Sequence, residues 1–236
     1  MKKNFIIIFL TICSVFTSAS ADIVLDKIIL DFFPDEEQQE NIFVNNTSST
    51  ENAYVKIEQV EVLNAGAKDE KREKVKKTDQ HRLIVSPNKL SIRQNDKKVV
   101  QFIVNNNNSD KDKIYRVQFN PVISGFYSNT QNSSNVYAGI KLLIGYEVLV
   151  IVRPTDMRFK LDIDRKDNTI IAKNNGNTNI FINRIKQCND KNVCKDLIKE
   201  KRLYANSDIS LKLIYPDRPV IMELNYGKEY KVIRYN

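Results

Sequence analysis

Few residues in this 236-residue chain are equipped for covalent or metal chemistry. The one histidine, His81, stands in "QHRLIV" at the start of a strand-like run. A lone imidazole there reads as a surface residue rather than a general base. No H-E-x-x-H, G-x-S-x-G or glycine-rich phosphate loop occurs, and six glycines leave little material for a nucleotide cradle. Asp162 and Asp164 lie two apart and so share one strand face, where they could hold a cation; solvation of a strand edge is the simpler account. Of three cysteines, Cys13 sits in an apolar leader, while Cys188 and Cys194 remain in "QCNDKNVCKD". An even pair, close in sequence in an exported chain, reads as a disulfide rather than a metal site. Closing so small a loop contributes no more than about 2–3 kcal/mol. The inventory points to no enzyme, no metal and no cofactor.

The leader sets the compartment. "MKKNFIIIFLTICSVFTSASA" runs from Lys2 and Lys3 through an apolar Phe5–Phe16 stretch to Ala19-Ser20-Ala21, the order of a secretory signal peptide. Its core is short of the roughly 20 apolar residues that span a bilayer. Cleavage after Ala21 is therefore expected, with no later membrane insertion. The formal charge of +8 becomes +6 without Lys2 and Lys3. That surplus is spread among acids, and an exported protein is not expected to bind nucleic acid; an anionic peptide terminus is a partner it would suit.

The elements that must position any site read as β throughout. "DIVLDKIILDF" alternates with a phase slip near Lys27, and "NIFVNN", "AYVKIEQVEVL", "HRLIVS", "KLSIRQ", "KVVQFIVNN" and "IYRVQFNPVI" follow, separated by Asn, Ser, Asp and Gly clusters. "GIKLLIGYEVLVIVRP", Gly139–Pro154, is the longest apolar run after the leader. Beyond Pro154 a smaller set begins with "RFKLDIDR" and ends with "EYKVIRY"; "CKDLIKEKRLYA" is the one stretch that reads as a helical turn. The mixed-sign run "KDEKREKVKKTD" reads as a solvated hairpin loop. The fold class is all-β: two sandwiches, residues 22–153 and 154–236 after a 1–21 leader, with almost no linker between them.

These segments, in order, resemble the periplasmic pilus-assembly chaperones of chaperone–usher systems. "RLIVSPNKLSIRQNDKKVVQFIV" is similar to the stretch where Ser/Thr-Pro follows one strand and a turn leads to the next, and "IYRVQFNPV" to the strand after it. "GIKLLIGYEVLVIVRP" resembles the long last strand of their first domain, ending in Arg-Pro. "TIIAKNNGNTNIFINRIKQC" and "IYPDRPVIMELNYG" resemble parts of their second domain. "YRV", "NNGN" and the paired cysteines look more like the alternate, colonisation-factor-type branch than the P-pilus branch. The resemblance implies two immunoglobulin-like domains in an L-shaped arrangement. It also implies a chaperone that lends a strand to fimbrial subunits lacking one and passes them to an outer-membrane usher without ATP. A free chaperone could cap its own exposed edge as a dimer. A structural pilus subunit or surface adhesin is the alternative, but a subunit would carry its donor segment at the N-terminus, and here it is internal.

Counting back from Arg153-Pro154, the resemblance places Ile140, Leu142 and Ile144 at the donor positions. Burying three such side chains would yield roughly 5–9 kcal/mol before ordering costs, at about 1.5–3 each. The P-pilus branch anchors the subunit's C-terminal carboxylate with an Arg and a Lys; here Ile29 and Leu149 fall at those positions. Arg116, Lys27 and Lys141 are the replacement candidates, Arg116 first because a guanidinium grips a carboxylate in two places. Arg153 matches an interdomain ion-pair arginine and Asp112 one of its acids, while the third position falls on the uncharged Asn225.

Overall fold

The computed structural model describes residues 23–75, 83–105, 109–122 and 143–236. Among them are seventeen strands and no helix. The first ten are β1 (Ile23–Leu25), β2 (Ile29–Phe32), β3 (Gln39–Asn46), β4 (Ala53–Leu63), β5 (Lys71–Lys74), β6 (Leu83–Ser86), β7 (Lys89–Ile92), β8 (Lys97–Val104), β9 (Lys113–Val122) and β10 (Tyr146–Val152). They build two sheets. One runs β1-β3-β8-β6; the other runs β2-β10-β9-β4-β5, with β7 also on β4.

The phase slip near Lys27 has a structural counterpart. β1 pairs with β3 in the first sheet, whereas β2 runs parallel to β10 in the second. The break at Lys27 lets one short segment change sheets. Alternation then fills the core: Ile42 and Val44 from β3, Val100 and Phe102 from β8, Val117 and Phe119 from β9, and Val148 and Val150 from β10. Asn46 is buried among them with its amide fully used, donating to the carbonyls of Glu51, Ile92 and Arg93 while its oxygen accepts from Ser48 N–H.

The long apolar run is explained by burial on both faces of β10. Val148, Val150 and Val152 face the core, while Leu149 and Ile151 pack with Val62 and Ile114 against Tyr204 of the second sandwich. A strand covered on both sides loses the polar half of its alternation.

The second sandwich contains β11 (Leu161–Lys166), β12 (Thr169–Asn174), β13 (Ile180–Cys188), β14 (Cys194–Leu203), β15 (Asp208–Lys212), β16 (Val220–Tyr226) and β17 (Glu229–Tyr235). Its sheets run β11-β12-β15 and β14-β13-β16-β17 around Ile170, Ile180, Ile182, Ile185, Met222 and Leu224. Cys188 and Cys194 are cross-strand partners at the mouth of the β13–β14 hairpin and are disulfide-bonded.

Two expectations are corrected. "CKDLIKEKRLYA" is not a helical turn: Cys194–Leu203 is an edge strand against β13. The disulfide starts the hairpin, a register shift at Ile185/Lys186 breaks its phase, and Glu200 adopts a φ of 50°, so no plain alternation is visible in the sequence. Likewise, part of the charged run is strand rather than loop, since Lys71–Lys74 pairs with Val60–Leu63.

Candidate functional site

The outward face of the β2-β10-β9-β4-β5 sheet carries a short ladder of rows. Register partners across a sheet share a face. One row reads Asp31, Ile151, Ile114, Val62 and Arg72; the next reads Ile29, Leu149, Arg116, Val60 and Lys74; a third holds Glu147, Gln118 and Glu58. Ile29 and Leu149, the two apolar residues at the expected cation positions, are thus direct neighbours, and Arg116 is the next residue along their row. The cation stands one strand further from the sheet edge.

Arg116 is not isolated. Its Nε lies 3.6 Å from Glu147 Oε1, while Arg72 Nη1 lies 2.9 Å from Glu147 Oε2. Gln118 Nε2 donates to the same oxygen at 3.3 Å. Lys27 is committed elsewhere, with its Nζ 2.7 Å from Glu40 Oε2. Lys141, Ile140 and Leu142 lie outside the described residues, as do His81, the leader and the Ile123–Tyr137 segment. Ile144 is described, lies just before β10 and is 39% exposed.

The edge of β10 changes character midway. From Leu149 to Val152 it pairs with β2, and Leu149 N–H reaches the Ile28 carbonyl at 2.9 Å. Among the described residues, Tyr146, Glu147 and Val148 have a strand partner only on the β9 side. Beside that open edge stand Ile28 and Ile29, 54% and 49% exposed. On the far side of β10's start, β9 runs on to an exposed Val122. An open backbone edge rimmed by apolar side chains is a template for a further strand.

At the elbow, Arg153 is only 2% exposed. Its bidentate acid is Asp31, at 2.7 and 2.8 Å, a residue that nothing in its sequence context singles out. It also donates to Thr178 Oγ1 at 2.8 Å, and its guanidinium lies over the Phe33 ring. Asp112 joins the same cluster through a different partner. Its Oδ2 accepts from both the backbone and the side-chain amide of Asn179, each at 2.6 Å. Asn179 Oδ1 accepts in turn from Arg202. The expected Arg153 and Asp112 therefore both bridge the sandwiches, with Asp31 as the bidentate partner of the arginine. Asn225 accepts from Asn183 within the second sandwich.

Burial pushes the Asp112 carboxyl above its ordinary value of 3.8, against the opposing pull of Asn179, Thr178 and the Arg153 charge. The unfolded chain therefore releases this proton at lower pH than the folded chain does. Asp112 then costs stability as pH rises from about 4 through its folded pKa. Asp112→Asn, which keeps an acceptor for Asn179, is expected to gain on the parent across that window. Urea titrations at pH 3.5 and 7 test this; a difference between the two proteins that does not change with pH removes the argument.

Asp162 and Asp164 stay on the exposed face of β11, and Asn175 Nδ2 donates to Asp162. No group of three or more His, Cys, Asp or Glu is placed to hold a metal among the described residues.

With this geometry in view, comparison with known proteins places the chain. Residues 29–153 match the family described as "CS5 fimbrial protein N-terminal domain", and the chain belongs to that family. Among solved structures, that of the class 5 fimbriae chaperone CfaA is 21% identical and superposes with a TM-score of 0.64, covering 91% of this chain and 99% of the other. A structure from a chaperone–tip adhesin complex of CFA/I fimbriae biogenesis is 22% identical, with a TM-score of 0.62 and coverage of 91% and 99%. One from the CsuC–CsuE chaperone–tip adhesion subunit complex of Acinetobacter baumannii is 14% identical, with a TM-score of 0.57 and coverage of 91% and 98%. No curated protein sequence matches. The all-β, two-sandwich fold and the resemblance to the colonisation-factor-type branch are borne out.

Proposed function

We propose that the protein is a periplasmic chaperone that receives fimbrial subunits by donating a strand and delivers them to an outer-membrane usher without ATP. The observation that carries this reading is the half-open edge of β10. Val148–Val152 is anchored in the chaperone's own core, while among the described residues Tyr146–Val148 has no strand partner on the side of Ile28 and Ile29. A sandwich that lacks a strand exposes a groove and two unpaired edges; a lent strand pairs those edges, and alternate side chains fill the groove. The subunit partners named for the similar chaperones support the same reading.

In this scheme residues 1–21 are removed on export, 22–153 is the lending unit and 154–236 the second one. Ile140, Leu142 and Ile144 enter the subunit. Arg116, on the row of the missing cations, holds the subunit's terminal carboxylate, with Lys27 and Lys141 as the other candidates. When no subunit is bound, the open edge is where two copies of the chaperone would cap one another.

The test is co-expression with fimbrial subunits from neighbouring genes, followed by periplasmic pull-down. Leu142→Glu forfeits about 1.5–3 kcal/mol of apolar burial and must also desolvate a charge, so subunit recovery should fall by more than about tenfold. Recovery equal to the parent's would end the strand-donation reading. Arg116→Ala should reduce recovery less severely; an undiminished yield moves the anchor to Lys27 or Lys141.

A further inference from the structure

The anion site proposed around Arg116 already contains a carboxylate. Arg72 from the β5 edge and Arg116 from β9 converge on Glu147 at the start of β10, with Gln118 as an additional donor. Two guanidiniums share one acid, so the cluster keeps a surplus positive charge. The hold on Glu147 is uneven: Arg72 bonds it at 2.9 Å, while Arg116 is further off. Arg116 approaches it only to 3.6 Å, and the side chains of Arg72, Arg116 and Glu147 are 46%, 29% and 30% exposed. Glu147 belongs to the part of β10 that among the described residues pairs only with β9, two residues before Leu149 and the row where a carboxylate-binding pair is otherwise expected.

Resting on the strand-donation reading, we propose that Glu147 is a built-in occupant of this anion site, displaced by the C-terminal carboxylate of the polypeptide that pairs with β10. An incoming chain that brings no carboxylate leaves Glu147 on the two arginines. A chain whose end is in register exchanges with it and frees Glu147 to solvent. The intrinsic carboxylate thus lowers affinity for a partner whose terminal carboxylate must displace it, and so weakens the preference for such ends that the bare arginines would show, while keeping the arginines paired when no such end is present. Arg72, from a charged run that reads as mere surface, becomes the second arm of the site.

The probe is a ten-residue peptide of alternating valine and threonine, made with a free C-terminal carboxylate and as its amide. Both are titrated by isothermal calorimetry against the full chain and against Glu147→Gln. The parent should prefer the carboxylate form modestly. Glu147→Gln should raise that preference roughly five- to tenfold, the size expected when two half-exposed guanidinium–carboxylate pairs stop competing. Arg116→Ala should erase the preference in both backgrounds. If both peptides bind and Glu147→Gln leaves the preference unchanged or smaller, Glu147 is not the occupant, although strand pairing stands. A lowered melting temperature without altered preference also overturns the proposal, leaving Glu147 a partner in a surface ion pair only. If neither peptide form binds the parent or the variant, strand pairing itself fails, and this inference with it.

Discussion

Replacing Arg153 with methionine should cost about 3 kcal/mol, the lower end for breaking a buried pair, because Asp31 keeps some solvent. The loss is not mainly one of attraction. Arg153 is sealed between the sandwiches, with its fork on Asp31, one nitrogen on Thr178 and its plane over Phe33. Methionine fills similar volume but leaves the Asp31 carboxylate without its bidentate partner, with only the more distant charges of Arg202 and Lys228 to offset it. The lowest thermal transition should drop by roughly 6–10 °C. Adding Asp31→Asn to Arg153→Met should recover part of the loss, because the stranded charge is then gone. A methionine variant melting within a degree or two of the parent would show that the pair is dispensable.

Gly176→Ala should be at least as damaging, for a steric reason. A Cβ at this position would overlap the Arg158 carbonyl oxygen and sit 2.9 Å from Lys160 N. Both are backbone atoms, so no side-chain rotation relieves the clash. The loop is also pinned: Asn175 N–H reaches the Lys160 carbonyl, Asn177 N–H the Arg158 carbonyl, and Gly176 N–H the buried Asn174 side chain. A cost of about 3 kcal/mol or more is expected, at or beyond the upper end for overpacking. Asn177 carries the damage across the elbow, since it contacts Asp110 and Asp112 of the first sandwich. Reduced yield and a lower melting temperature are the readouts. Gly145→Ala, whose Cβ would meet the Phe119 carbonyl at 3.2 Å, is the milder control.

Much of the architecture is legible in the sequence because a sandwich strand must alternate, and most of these do. β3, β8 and β9 declare their inward residues directly. β14 is not legible, since an exposed edge strand with a shifted partner register has no apolar face to mark its period. The site divides in the same way. Arg153 is recognisable from its place before Pro154, and Arg116 from its strand. Asp31 is not, because in "ILDF" it looks like an ordinary outward-facing acid, and its partner is 122 residues away. Arg72 is hidden for a related reason. A charged residue in a charged run gives no sign that strand pairing will bring it to Glu147.

The two-sided burial of β10 also restricts how this chain can change over generations. Val148, Val150 and Val152 are fixed in the core, and that fixes the parity of every residue upstream for as long as the strand continues. A deletion or insertion of one codon just before Tyr146 would send Ile144, Leu142 and Ile140 to the opposite face of a continued strand, while a change of two codons would restore the pattern one step along. Where pairing with a further strand extends β10 back through Ile144, length changes there should be tolerated in even steps only. Change upstream of the core valines would then come by substitution within a frozen phase.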